Sequence, residues 1–130
     1  MSLLAVSSFS LHSALGPLRL EQRQDDGSLA SMVINFPRIH SLEEFAALAC
    51  QRIGVSAIEL CQVQFDSDAP ARIARLKDGL VAAGVELLAI PIDLGDLASP
   101  NSEWVAQDVA RMCTWFDIAH TLGASYVRVN

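Results

Sequence analysis

The side chains with chemical capacity in this chain are few and scattered. His12, Glu59 and Arg128 are polar residues lying within or directly after runs that read as β-strands. A neutral imidazole at His12 could hydrogen-bond a substrate hydroxyl or carbonyl; an ordinary polar loop residue is the alternative. Glu59 and Arg128, on separate strands, could position a hydroxylated substrate. They could instead form a structural ion pair that satisfies two charges, and their place within strands rather than at the tips favours that reading. Asp93 and Asp96 could bind a cation, but Asp in a Gly-containing loop more often makes turn or capping hydrogen bonds. His40, just before a helix start, and His120, near a helix end and close to Asp117, read as structural and surface residues respectively.

Other chemistries lack their signatures. There is no Gly-rich phosphate fingerprint after a strand, no Walker-type loop and no Ser-centred nucleophile elbow. These absences disfavour a dinucleotide enzyme and a serine hydrolase. Cys50, Cys61 and Cys113 are odd in number, widely spaced and set among apolar neighbours. That pattern suits buried thiols in a reducing compartment better than a disulfide framework or a zinc site. A net charge of −6 argues against a nucleic-acid surface, which needs clustered Lys and Arg. No apolar run approaches the ~18 residues of a membrane span, and the first residues lack a basic signal-peptide region. A cytoplasmic protein with no membrane partner is expected.

The elements that must position these residues follow a cadence of amphipathic helix, glycine and short β-rich run. Ser41-Leu42-Glu43-Glu44 makes a capping box, in which hydroxyl and carboxylate satisfy free backbone N–H groups reciprocally. Leu42, Phe45, Ala49 and Ile53 form the first apolar stripe, Gly54 closes the helix, and Val55 to Cys61 is a strand. Ser67 or Asp68 can cap the second helix, Pro70 suits its first turn, and Ile73, Leu76, Leu80 and Ala83 are its stripe. Gly84 ends it, and the next strand runs from Val85 to Ile90. Ser99-Pro100 opens a longer third helix with the stripe Val105, Val109, Met112, Phe116 and Ala119. Trp104 and Trp115 on it should pack between helix and sheet or against a neighbour. Gly123 closes that helix before the strand Tyr126 to Val129.

Ahead of these units, Leu3 to Phe9 reads as a first strand. Residues 11–40 are too many for an ordinary βα loop. Leu18–Gln22 and Ser31–Phe36 flank the turn-like Asp25-Asp26-Gly27-Ser28, which predicts a hairpin-like insertion. Four strands and three main helices in alternation imply an α/β fold with parallel pairing. Strand alternation puts Val127 and Val129 toward the helices. It turns Glu59, Tyr126, Arg128 and Asn130 the other way.

The chain resembles the xylose-isomerase-like barrels, the sugar phosphate isomerase/epimerase group related to endonuclease IV. The likeness rests on Val6-Ser7-Ser8-Phe9-Ser10-Leu11-His12, on Gly54-Val55-Ser56-Ala57-Ile58-Glu59-Leu60, and on the run Ala119 to Val129. It implies that residues 1–130 are the N-terminal half of a (β/α)₈ barrel, which usually needs roughly 250 residues. It also implies a divalent metal (Mn, Mg, Co or Zn) and a small sugar, polyol or keto-acid substrate. The family's metal ligands lie near the ends of later strands, so none is assigned to this sequence, and the piece alone is expected to be inactive. The competing expectation is a non-catalytic half-barrel module that binds a ligand and associates as a homo-oligomer. A small flavodoxin-like domain fits less well, lacking both a phosphate loop and a fifth strand.

Overall fold

A computed structural model describes residues 3–129. Six strands and three α-helices follow in the order β1 (Ala5–Ser7), β2 (Leu18–Arg23), β3 (Leu29–Ile34), α1 (Leu42–Leu48), β4 (Ala57–Glu59), α2 (Pro70–Ala83), β5 (Glu86–Ile92), α3 (Ser102–Leu122) and β6 (Tyr126–Val129). Strands β1, β4, β5 and β6 form one parallel sheet whose spatial order is their order along the chain. Strands β2 and β3 pair antiparallel as a separate hairpin, as the turn cluster predicts.

The three helices pack on one face of the sheet. Leu42, Phe45 and Ala49 from the first helix, Ile73, Leu76 and Leu80 from α2, and Met112, Ala119 and Leu122 from α3 share a core with Ile58, Leu87, Ile90 and Ile92. Each large apolar side chain buried there contributes about 1.5–3 kcal/mol. Register sorts the two faces of the sheet. Ile58 pairs with Leu87, Glu59 with Ala89, and Pro91 with Arg128, so Leu88 is an extra residue between the first two pairs. That bulge keeps Leu87 and Ile90 both on the helix side. It leaves Glu59, Ala89, Pro91, Tyr126 and Arg128 on the opposite side, as alternation predicts; Asn130 lies outside the described residues.

A proline inside β5 looks out of place in a central strand. Leu60 N–H donates to the Ala89 carbonyl at 3.1 Å, so the backbone of Ala89 faces the β4 side. By alternation the Pro91 nitrogen faces the same way, beyond the last β4 pair, Glu59–Ala89. Pro91 has no N–H to return to the Leu60 carbonyl, the next rung of a parallel ladder, so pairing with β4 ends at Glu59–Ala89.

The helix ends follow the sequence signals in most respects. Ser41 and Glu44 form the full capping box, and Gly54, Gly84 and Gly123 close their helices with φ of 79°, 67° and 79°. Three details differ. The first helix widens into a π turn over Ala49–Ile53, which carries Ile53 off the apolar stripe to 50% exposure. The residue capping α2 is Ala69, and Ser67 acts one step earlier by accepting the Ala69 N–H at 3.0 Å. Helix α3 begins at Ser102 with Asn101 as its cap, the Asn101 side chain accepting from the N–H groups of Glu103 and Trp104.

The buried face of α3 is also rotated from the predicted stripe. Asp108, Met112, Ile118, Ala119 and Leu122 are buried, whereas Val109 and Phe116 are 43% and 38% exposed. Trp115 packs against the core and meets Phe65 edge-on, with ring centroids 5.1 Å apart. Of the cysteines, Cys61 is buried as expected, while Cys50 and Cys113 are exposed; all three are free thiols.

Helices α1 and α2 approach closely through Gly79. A Cβ at that position would lie 2.5 Å from Glu43 Cγ, so a larger residue there forces the Glu43 side chain to shift. Beside this contact, Arg72 donates to both Glu43 oxygens and to both Asp66 oxygens, tying α1, α2 and the loop after β4 together. Burial alone would lower the Arg72 pKa, but its bonds to Glu43 and Asp66 outweigh burial and raise it.

Candidate functional site

The C-terminal ends of the parallel strands are where α/β proteins of this kind place their chemistry. Here two polar assemblies occupy that end. The first joins β1 to the segment after β4. Ser8 Oγ donates to Gln64 Oε1 and accepts the Cys61 N–H at 3.0 Å, while Gln64 Nε2 donates to the Ser8 carbonyl at 3.2 Å. Both side chains are fully buried, so each polar atom needs its partner. This clasp fixes the start of the insertion over the β4 end. The hairpin base then packs Leu18, Leu20 and Phe36 against Cys61 and Val63.

The second assembly joins the hairpin to α3. At 21 residues, α3 is about 31 Å long and is by far the longest of the helices. The hairpin lies along its N-terminal half. Arg23 Nη2 donates to Asp108 Oδ1 at 2.6 Å, and Arg23 Nη1 reaches the Gly27 carbonyl and Gln107. Arg111 bonds Asp108 at 3.1 Å and pairs with Glu21. The other Asp108 oxygen accepts the Asp96 N–H at 3.0 Å, which draws the loop after β5 into the group. The Asp108 side chain is only 3% exposed, yet it accepts from two guanidinium groups and one backbone N–H. Those donors satisfy both carboxylate oxygens in a site with little access to water. Burial lowers the Arg111 pKa from its usual value.

Arg23 completes its surroundings with a ring. Its guanidinium carbon stands 5.5 Å from the centroid of Trp104, a cation–π distance, and its Nε is buried without a hydrogen bond. Gly95 makes the loop fit: its φ is +80°, and a Cβ there would lie 2.8 Å from Asp108 Cβ. Two cavities flank the network. One of about 480 Å³ opens between the hairpin, α3 and the loop before α2, and one of about 310 Å³ lies beside Arg23, Trp104 and Asp108.

The residues singled out from sequence occupy other places. His12 belongs to a 3₁₀ segment, Ser8–Ala14, where its Nδ1 lies 2.9 Å from the Phe9 carbonyl. Its ring stacks on Phe9 at 4.9 Å and meets Phe36 edge-on at 5.1 Å. Glu59 ends β4 and Arg128 lies in β6, both on the sheet face away from the helices. None of the three lines either cavity. Asp96 makes the expected turn bond, its side chain accepting the Ala98 N–H at 2.9 Å. Asp93 donates its backbone N–H to Gln62 Oε1 at 3.3 Å. His40 approaches Glu44 at 3.9 Å, and His120 lies exposed in the last turn of α3.

Sequence reasoning missed Arg23, Asp108 and Arg111. The available signal was an Asp exactly one helical turn before the core residue Met112, in phase with Trp115 and Ala119. Among the described residues, no three His, Cys, Asp or Glu side chains are grouped to hold a metal ion. The same residues contain no helix long and apolar enough to cross a membrane. No known family model matches the chain, and no curated protein matches it.

Proposed function

We propose that this chain is the N-terminal part of a metal-dependent sugar (phosphate) isomerase/epimerase-like (β/α)₈ barrel. The observation that carries the reading is the strand order. The four parallel strands run β1-β4-β5-β6 without a reversal, and the helices share one face. A doubly wound sheet reverses its order at a switch point and carries helices on both faces, whereas successive barrel strands keep chain order. The face away from the helices then becomes the barrel interior, and Glu59 and Arg128 point into it.

In that interior, Glu59 and Arg128 would hold substrate hydroxyls, with the carboxylate accepting and the guanidinium donating. His12, held by Phe9 and Phe36, would contribute its remaining ring nitrogen. The metal of this enzyme class supplies polarisation of carbonyl and hydroxyl oxygens. The described residues do not offer a ligand set for it, so no step is assigned through a metal here.

The test compares the 130-residue chain with a longer protein that continues it, using a panel of aldoses and ketoses with added Mn²⁺ or Mg²⁺. The reading expects interconversion only by the longer protein. Turnover by the 130-residue chain alone overturns it.

A second reading, a self-associating ligand-binding module, draws on β6. Tyr126 is 68% exposed, and Val127 and Val129 are each 37% exposed. A compact, stable dimer on sizing favours this second reading over the first.

A further inference from the structure

Strand β2 presents Arg19, Glu21 and Arg23 on one face, since side chains two apart point the same way. Two of these meet an opposite charge on α3: Arg23 pairs with Asp108, and Glu21 with Arg111 one turn further along. The third position is different. Arg19 lines the cavity of about 480 Å³ and makes no ion pair with any described residue. Asp68, in the loop before α2, lines the same cavity and is likewise unpaired. The other charges around it are engaged, Glu21 with Arg111 and Asp66 with Arg72. One cation and one anion therefore remain unspent. The same cavity is also lined by the apolar side chains of Phe65, Leu94 and Trp115. The volume falls within the usual ~300–1,000 Å³ of small-ligand sites.

We propose that this cavity binds a small zwitterion, an α-amino acid with an apolar side chain. Its carboxylate pairs with Arg19, its ammonium with Asp68, and its side chain packs on Phe65 and Trp115. Arg19 supplies a planar fork that suits a carboxylate. A dianion such as phosphate would satisfy Arg19 but leave Asp68 facing like charge. A neutral sugar could hydrogen-bond both groups but would neutralise neither charge. The inference is independent of the barrel reading, because its groups lie on the hairpin, on α3 and in the loop before α2.

The test titrates the full 130-residue chain with L-phenylalanine and L-leucine, following the Trp115 indole N–H by NMR. 3-Phenylpropanoate and 2-phenylethylamine, which each lack one of the charges, are run in parallel with inorganic phosphate and glucose. The amino acids should give a saturable shift at Trp115, with each single-charge analogue binding about tenfold more weakly. Arg19 and Asp68 are exposed, so Arg19→Gln and Asp68→Asn should retain the fold, verified by circular dichroism. Arg19→Gln should erase the preference for amino acid over amine, and Asp68→Asn the preference for amino acid over acid. The proposal is overturned by any of three results: no saturable shift in the folded chain, tighter binding of phosphate or glucose, or variants that bind like the parent.

Discussion

Arg23 and Asp108 are 85 residues apart in sequence and meet at 2.6 Å, with the carboxylate almost wholly excluded from solvent. This pair decides how the hairpin sits on the parallel sheet. Together with the Glu21–Arg111 pair it holds the hairpin to α3, while the hairpin base, Leu18, Leu20 and Phe36, packs on Cys61 and Val63.

Removing the carboxylate should be costly, because Arg23 and Arg111 are then left partly buried without their shared acceptor. Asp108→Asn is expected to destabilise the fold by about 3–5 kcal/mol in chemical denaturation. A double variant, Arg23→Met with Asp108→Leu, should lose clearly less than the sum of the two single losses. Additive losses would mean that the pair does not act as a unit.

Gly95 offers a steric test of the same junction. Gly95→Ala places a methyl group against Asp108 and Met112 in a left-handed conformation. A loss of about 1–3 kcal/mol is expected. An unchanged denaturation midpoint would show that the loop need not lie so close to α3.

The buried clasp at the other end of the hairpin makes a separate prediction. Ser8→Ala leaves the Cys61 N–H and Gln64 Oε1 without their partner. The expected cost is about 1–3 kcal/mol. Gln64→Leu in the Ser8→Ala background should recover part of it, since both polar side chains are then gone.

The hairpin turn should respond to acid. The Ser28 hydroxyl, then the Ser28 backbone N–H, hold the Asp26 carboxyl below its ordinary value. Its contribution to the turn is therefore present above the unfolded-state pKa of about 3.9 and is lost as pH falls through the lower folded value. A carboxyl NMR titration should place Asp26 below that reference, and Ser28→Ala should bring it back up. A midpoint at or above the reference contradicts the hydrogen bonding.

Local signals made much of the fold legible in the sequence. The capping box at Ser41, the closing glycines and the Asp25–Ser28 turn are each encoded within a few residues. Alternation likewise identified the face carrying Glu59, Tyr126 and Arg128. What the sequence hid depends on distant partners or small changes of winding. A π turn displaced Ile53. Val105 and Val109 suggested a phase for α3 that the buried Asp108 overrides, because two arginines and a backbone N–H compensate its charge. The exposed thiols of Cys50 and Cys113 show that apolar neighbours in sequence do not ensure burial. The cavity beside Arg19 was invisible for the same reason: the hairpin, α3 and the loop before α2 meet only in three dimensions.

The barrel reading is tested most directly by Glu59 and Arg128 within a longer protein that continues this chain. The measurement is steady-state aldose–ketose interconversion with Mn²⁺ for the parent, Glu59→Gln and Arg128→Gln. Substrate-holding roles predict turnover by the parent and a KM raised about tenfold in each variant, the loss of a hydrogen bond to a charged group. Absence of turnover with every sugar tried, or variants with unchanged KM and kcat, would contradict the account.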